Sequence, residues 1–170
     1  GQFSFTNLQS GDDYTVVPQF DLNHANGVST FDLALISKHI LRVDIFQSPF
    51  QIIAADANNS GTVTTLDLVL LRKLILRVID ELPNNTSWRF VKSNYVFPDP
   101  QHPWTPRFPE VFSINNIAQS RNDVNFVAVK VGDVNNSART NQLNTIDDRS
   151  FVGQYNFETA EKSLTAGEEA

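Results

Sequence analysis

The chain has no cysteine and no methionine. The first absence excludes disulfides and thiolate zinc sites, without by itself fixing the compartment. The second means that no translational start is included, so the sequence reads as an internal stretch of a longer protein. No apolar run approaches the roughly 18 residues of a membrane-spanning helix, and no signal-peptide pattern is present, so no membrane insertion is expected. Positive charge is scarce: 13 Lys and Arg against 19 Asp and Glu leave a net charge of −6, which counts against nucleic acid or an anionic membrane as partner. There are only three histidines, His24, His39 and His102. No glycine-rich phosphate loop and no nucleophile-elbow serine occurs. A carboxylate pair is the remaining route to catalysis, through glycoside hydrolysis, but each well-placed aspartate has a better use as a ligand, so no enzymatic activity is expected. What is left is ordinary: 170 residues that are 41% hydrophobic suffice for the core of one domain or two small ones.

What is present is a repeat. DLNHANGVSTFDLALISKHILRV, residues 21–43, returns 35 positions later as DANNSGTVTTLDLVLLRKLILRV, residues 56–78. Asp21 coincides with Asp56, Asn23 with Asn58, Asp32 with Asp67, and Ile40-Leu41-Arg42-Val43 with Ile75-Leu76-Arg77-Val78. Each copy runs from an oxygen-rich loop into an amphipathic helix.

The loop has the chemistry of a calcium site. A hard divalent cation takes about six to eight oxygens from a short, sharply curved loop that closes on a carboxylate. In the second copy Asp56, Asn58 and Ser60 stand at positions 1, 3 and 5, Gly61 at the turn, Thr62 at the carbonyl position 7, Thr64 at 9 and Asp67 at 12. Thr64 acts either through its hydroxyl or through a water. The first copy offers Asp21, Asn23 and Asp32, but Ala25 replaces a side-chain ligand, and Asn26 followed by Gly27 replaces the turn glycine. The competing explanation is that these are only turn and helix-capping residues, a role open to Thr30 and Asp32 in particular.

The pattern D-x-N-x-S-G-x-V-x-x-x-D-L-x-x-L-x-K, repeated after about 35 residues with no entering helix, resembles a type I dockerin over roughly Phe20–Leu82. Dockerins are small modules with paired F-hand calcium loops, and many bind cohesin domains. The resemblance implies bound Ca2+, an extracellular, secreted or cell-surface setting, and partner contacts at loop positions 10 and 11 and along the helices. Here those places hold Phe31, Lys38 and Arg42 in the first copy, and Leu66, Lys73 and Arg77 in the second. Phe31 and Leu66 are either partner anchors or are covered by the remainder of the chain.

Outside the repeat, residues 1–20 alternate at Phe3 and Phe5 and again at Tyr14 and Val16 about a Gly-Asp-Asp turn, which predicts a hairpin. Its pattern resembles the closing strands of Cna-B-like or prealbumin-like surface domains; alternatively the strands pair with others further along this chain. The stripes Leu33, Ile36, Ile40, Val43 and Leu68, Leu71, Ile75, Ile79 predict helices over about 30–43 and 65–79. Ser48-Pro49 starts a short helix between them. Residues 83–138 read as a β-rich extension that packs on the helical pair. It holds an aromatic, β-prone stretch over 86–97, a proline-rich loop over 98–109, a strand within 111–117 and the apolar run DVNFVAVKVGDVN at 123–135. Trp104, Phe108 and His102 either pin the loop to the core or form a stacking platform. The Asp133-Val134-Asn135 end of the apolar run is either a plain turn, or Asp133 or Asn135 reaches over to supply the ligand that Ala25 lacks. Residues 139–170 read as a linker and the start of a following domain.

The expectation is therefore an α+β unit with a dockerin-like helical pair. Two functions fit it: a calcium-stabilised structural or adhesion module of a large extracellular protein, flanked by β-domains of the same chain, or a recognition module for a cohesin-like domain, as in a polysaccharide-degrading assembly. Exposure of Phe31 and Leu66 separates them, because a contiguous apolar patch marks a docking surface.

Overall fold

The structure is a computed structural model and describes residues 3–139; the linker and following domain expected over 139–170 lie outside the described residues, apart from Arg139. The fold is α+β. In chain order come β1 (Tyr14–Val16), α1 (Thr30–Ile40), α2 (Pro49–Ala55), α3 (Thr65–Ile75), β2 (Trp88–Lys92), β3 (Phe112–Ile114) and β4 (Phe126–Lys130).

Each repeat helix begins where its loop ends. Ser29 caps α1 and Thr64 caps α3, and in both the aspartate three residues on, Asp32 or Asp67, returns a bond to the cap backbone. These reciprocal bonds satisfy two of the amide donors that a helix start leaves free. Both helices are shorter than the apolar stripe predicts. They close in the same way: Arg42 and Arg77 adopt φ 56, Val43 N donates to Lys38 O and Val78 N to Lys73 O, each at 2.9 Å. This is a Schellman stop with arginine where glycine is usual. Its consequence is that Val43, placed on the buried stripe by sequence, is exposed, as is its counterpart Val78. The short helix α2 starts at Pro49 behind Ser48, as the Ser-Pro pair predicts.

Pairing of the strands departs from the local reading. β1 does not form a hairpin with residues 3–5; it runs antiparallel to β3, with Tyr14 opposite Ile114 and Val16 opposite Phe112. Local alternation identifies strands but not distant partners, and here the partner lies far along the chain. β2 and β4 form a second antiparallel pair, Trp88 opposite Lys130 and Lys92 opposite Phe126.

One apolar cluster joins the two parts. Val28, Ile36, Leu71 and Leu74 from the repeats, Ile52 to Ala55 from α2, and Val91, Val129, Val131 and Val134 from the strands are buried together. The link between α2 and β4 is tight: Gly132 N donates to Ala54 O at 2.7 Å. The proline-rich loop is held by its aromatics. Phe108 is buried, Trp104 is partly buried against the core beside Gly61, and Phe97 packs edge-on against Phe50 and Phe108, so these rings pin the loop, while His102 is exposed.

Candidate metal centre

The second loop curls about two buried carboxylates. Asp56 accepts from Ser60 N at 2.9 Å through Oδ1 and from Gly61 N at 2.8 Å through Oδ2. Asp67 accepts from Asn58 N at 3.1 Å through Oδ1, and from Thr64 N at 2.8 Å through Oδ2. Asn58 Oδ1 accepts from Ser60 N, and the Ser60 hydroxyl donates to Thr62 O at 3.1 Å. Asn59 and Gly61 take the positive φ values, 56 and 79, that the curl demands. The arrangement gathers the expected residues Asp56, Asn58, Ser60, Thr62, Thr64 and Asp67 on one short loop. Burial pushes the Asp56 carboxyl above the ordinary range, and the Asp67 carboxylate beside it pushes the same way, against its two backbone bonds and Arg89. Two carboxylates buried side by side favour a cation between them. The groups that the loop gathers, two carboxylates, an amide oxygen, hydroxyls and a backbone carbonyl, are hard oxygens of the kind calcium takes.

The first loop is built differently. Asp21 Oδ1 accepts from Ser87 N at 2.7 Å and pairs with His24 Nε2 at 3.0 Å. Asn23 itself takes the positive φ of 52, whereas in the second loop that role falls one position later. Asp32 keeps its place: Oδ2 accepts from Ser29 N at 2.9 Å and from the Ser29 hydroxyl at 2.7 Å. Its other oxygen accepts from Val134 N at 3.0 Å, on the segment that follows β4. So the structure brings Asp32 and Asp133 to the same place and ties Asp21 to a different one. Burial raises the Asp32 carboxyl, and the Asp133 carboxylate adds to that, opposed by the bonds from Ser29 and Val134. Nearby, Lys130 is buried with Nζ donating to His24 O at 2.7 Å, and burial pushes its ammonium down to about 7.

The residues expected at the partner face are on the surface. Phe31 is 60% exposed and Leu66 63%, so among the described residues nothing covers them. Lys38, Arg42, Lys73 and Arg77 are exposed as well. Other exposed apolar residues obey the repeat: Leu41 with Leu76, and Val43 with Val78.

Sequence reasoning missed the braces. Arg89 in β2 is buried, makes a two-pronged pair with Glu110 at 2.6 and 2.7 Å, and donates to Asn59 Oδ1 at 2.7 Å. Asn85 Nδ2 donates to Asp56 O at 2.8 Å. The extension thus fixes the outside of the second loop. The available signal was a lone arginine within an aromatic strand, which names no partner. The Ser137 hydroxyl, which donates to Gly27 O at 3.0 Å, was missed too.

With that geometry described, comparison with known families identifies the helical pair. Residues 19–76 match the family model of the dockerin type I domain, so the chain carries a dockerin-like module. Dockerin type I domains bind calcium through EF-hand-like loops, and calcium is the cofactor of this repeat module. The second-loop residues fit that ion: two buried carboxylates, an amide oxygen, hydroxyls and a turned backbone carbonyl lie along one loop. Searches of the curated proteins and of the solved structures found no significant match.

Proposed function

We propose that residues 21–138 work as one calcium-stabilised docking module of a secreted or cell-surface protein, with Asp56, Asn58, Ser60, Thr62, Thr64 and Asp67 as ligands of an ion in the second loop. The ion neutralises the carboxylates beside the start of α3 and holds the loop curled. The observation that carries the docking reading is the exposure of Phe31 and Leu66. Each stands at the start of a repeat helix directly after its loop, at the same position in both repeats. Exposed Lys38, Arg42, Lys73 and Arg77 supply a basic rim, suited to a cohesin-like partner with an acidic face. The dockerin type I domain is a non-catalytic module, so the helical pair is assigned a binding role and not a catalytic one. No helix among the described residues is long and apolar enough to cross a membrane.

Two measurements test this. Metal-stripped protein is titrated with calcium by calorimetry and melted in calcium and in chelator. An ion at about a hundred times its dissociation constant adds about 2.7 kcal/mol, so the melt should rise by several degrees. Capture on immobilised cohesin domains should then depend on calcium and fall at least tenfold in Phe31→Ala/Leu66→Ala, with the melt unchanged. Calcium-dependent melting with no capture favours the second reading, a structural or adhesion module, for which the shared core of helices and strands is the support. No binding and no shift in melt overturns both.

A further inference from the structure

The segment after β4 repeats the opening of the second loop. Asp56-Ala-Asn-Asn-Ser-Gly61 and Asp133-Val-Asn-Asn-Ser-Ala138 are 77 positions apart and fold alike. Asp133 accepts from Ser137 N at 3.0 Å and from Ala138 N at 2.7 Å, as Asp56 does from Ser60 N and Gly61 N. Asn136 has φ 58 where Asn59 has 56. A likeness confined to a half-loop is only a turn. What completes it is the other half, which comes from the first repeat.

The Ser137 hydroxyl donates to Gly27 O at 3.0 Å. In the second loop Ser60 makes that bond to Thr62 O, and Thr62 is the residue that the 35-position repeat sets against Gly27. Asp32, the closing carboxylate of the first repeat, accepts from Val134 N. The segment is seated closely: a Cβ on Gly27, which has φ +75, would lie 2.7 Å from the Ala138 backbone. The Asn26 side chain bonds both the N–H and the C=O of Arg139. The missing glycine at the turn is explained as well. Gly61 must swing the same chain round toward Thr62, whereas after Ala138 the chain leaves and Gly27 takes over, so Ala138 needs no positive φ.

One atom points to a ligand. Asn135 Oδ1 is sequestered from solvent and has no hydrogen-bond partner among the described residues, although such an oxygen is costly to bury alone. It belongs to the residue that corresponds to Asn58. Two carboxylates, Asp32 and Asp133, are buried with it.

We propose that the first repeat binds its calcium through a split loop. Asp133, Asn135 and Ser137 take positions 1, 3 and 5, and the Gly27 carbonyl, Ser29 and Asp32 take positions 7, 9 and 12. Asp21 and Asn23, which the contiguous reading assigns to the ion, bind none; Asp21 holds Ser87 and His24 instead. The ion therefore staples the segment after β4 to the first repeat, and the first site exists only when the extension is docked.

This rests on the reading of the second loop as a calcium site, and the test separates the two. The whole chain is stripped of metal and titrated with calcium by calorimetry, beside Asn135→Ala, Asp21→Ala/Asn23→Ala and Asp56→Ala. Two ions are expected in the parent. Asn135→Ala should weaken one site at least tenfold. Because Asn135 Oδ1 bonds nothing among the described residues, its melt in chelator should match the parent's while the calcium-induced rise shrinks. Asp21→Ala/Asn23→Ala should keep both sites, and Asp56→Ala should lose the other one. If Asn135→Ala keeps two parental sites, or if Asp21→Ala/Asn23→Ala loses one while its chelator melt stays folded, the split loop is wrong. A parent that binds one ion, abolished by Asp56→Ala, also rejects the split loop but leaves the second-loop site standing. A parent that binds none overturns both.

Discussion

Replacing Gly132 with alanine should destabilise the protein by about 2–4 kcal/mol, because this glycine is where the strand segment meets the helical pair. Gly132 has φ +87, and a Cβ there would lie 2.6 Å from Leu71 Cδ2 and 2.9 Å from Val28 Cγ2. Left-handed backbone at a residue with a Cβ costs about 1–2 kcal/mol, and overpacking a filled core adds about 1–3 kcal/mol. Fewer unfolded conformations return about 0.4–1 kcal/mol. The neighbours cannot step aside cheaply. Leu71 and Val28 are fully buried, and a β-branched Val28 has little χ1 freedom. If the backbone moves instead, it gives up the 2.7 Å bond from Gly132 N to Ala54 O. Urea unfolding in chelator gives the measurement, with a lowered midpoint and an unchanged slope. Gly11→Ala is the control. It has φ +95 but an added Cβ meets only Asn116 Oδ1 at 3.9 Å, so it should show the backbone cost alone. If Gly132→Ala unfolds within about 0.5 kcal/mol of the parent, or matches Gly11→Ala, the extension does not pack as described here.

Other outcomes follow from the same structure. Arg42→Gly should stabilise by about 0.5–1 kcal/mol, since the helix stop holds arginine at φ 56 and glycine adopts that conformation freely; thermal melting checks it. Arg89→Ala should cost about 3 kcal/mol, because it removes the buried partner of Glu110 and the brace on Asn59; chemical denaturation reads the loss, and calcium titration should show a weakened second loop. His39 gives a pH dependence. Burial first, and then Arg42, hold its imidazole below the ordinary 6.5, and its Nδ1 accepts from Phe46 N at 3.1 Å, which only the neutral ring can do. The unfolded chain then takes up the proton first, so this contribution is complete above 6.5 and is lost as pH falls below it through the folded value. Melts followed downward from neutral pH should fall, and His39→Gln should flatten that fall.

The helical pair was legible because its information is local. Loop ligands sit at fixed offsets, capping residues adjoin their helices, and a 35-residue repetition shows the pattern twice. The helix ends were less so: Arg42 and Arg77 carry no sign of a left-handed stop, since that conformation is usually the mark of glycine. The strands were recognisable by alternation, but not their partners, because Tyr14 facing Ile114 is a choice made by the whole core. Arg89 shows the same limit, for nothing in its neighbourhood names Asn59 or Glu110.

The split loop proposed for the first repeat has a physical rationale in how its opening half is packed. The opening of the first repeat keeps Asp21 and Asn23, so by spacing it still reads as a ligand set, yet Asp21 is engaged by Ser87 N and His24. His24 and Ala25 are buried, with His24 Nδ1 accepting from Leu82 N at 3.2 Å. That half-loop has become part of the core. A half-loop cannot serve at once as a packed corner and as a curl that turns its oxygens inward. On the split-loop proposal, Ala25 in the first loop and the aspartate, asparagine and serine after β4 complement each other. In that proposal the segment after β4 supplies the opening ligands, while Ser29 and Asp32 both close the loop and cap α1. On this reasoning, restoring ligands to the first loop should not restore a contiguous site. Ala25→Ser places a hydroxyl in a buried corner, should cost about 1–3 kcal/mol in chelator as an unpaired polar group, and should leave the calcium stoichiometry as it was. A gain of calcium affinity in Ala25→Ser, abolished again by Asp21→Ala, would show that the old loop still closes on an ion.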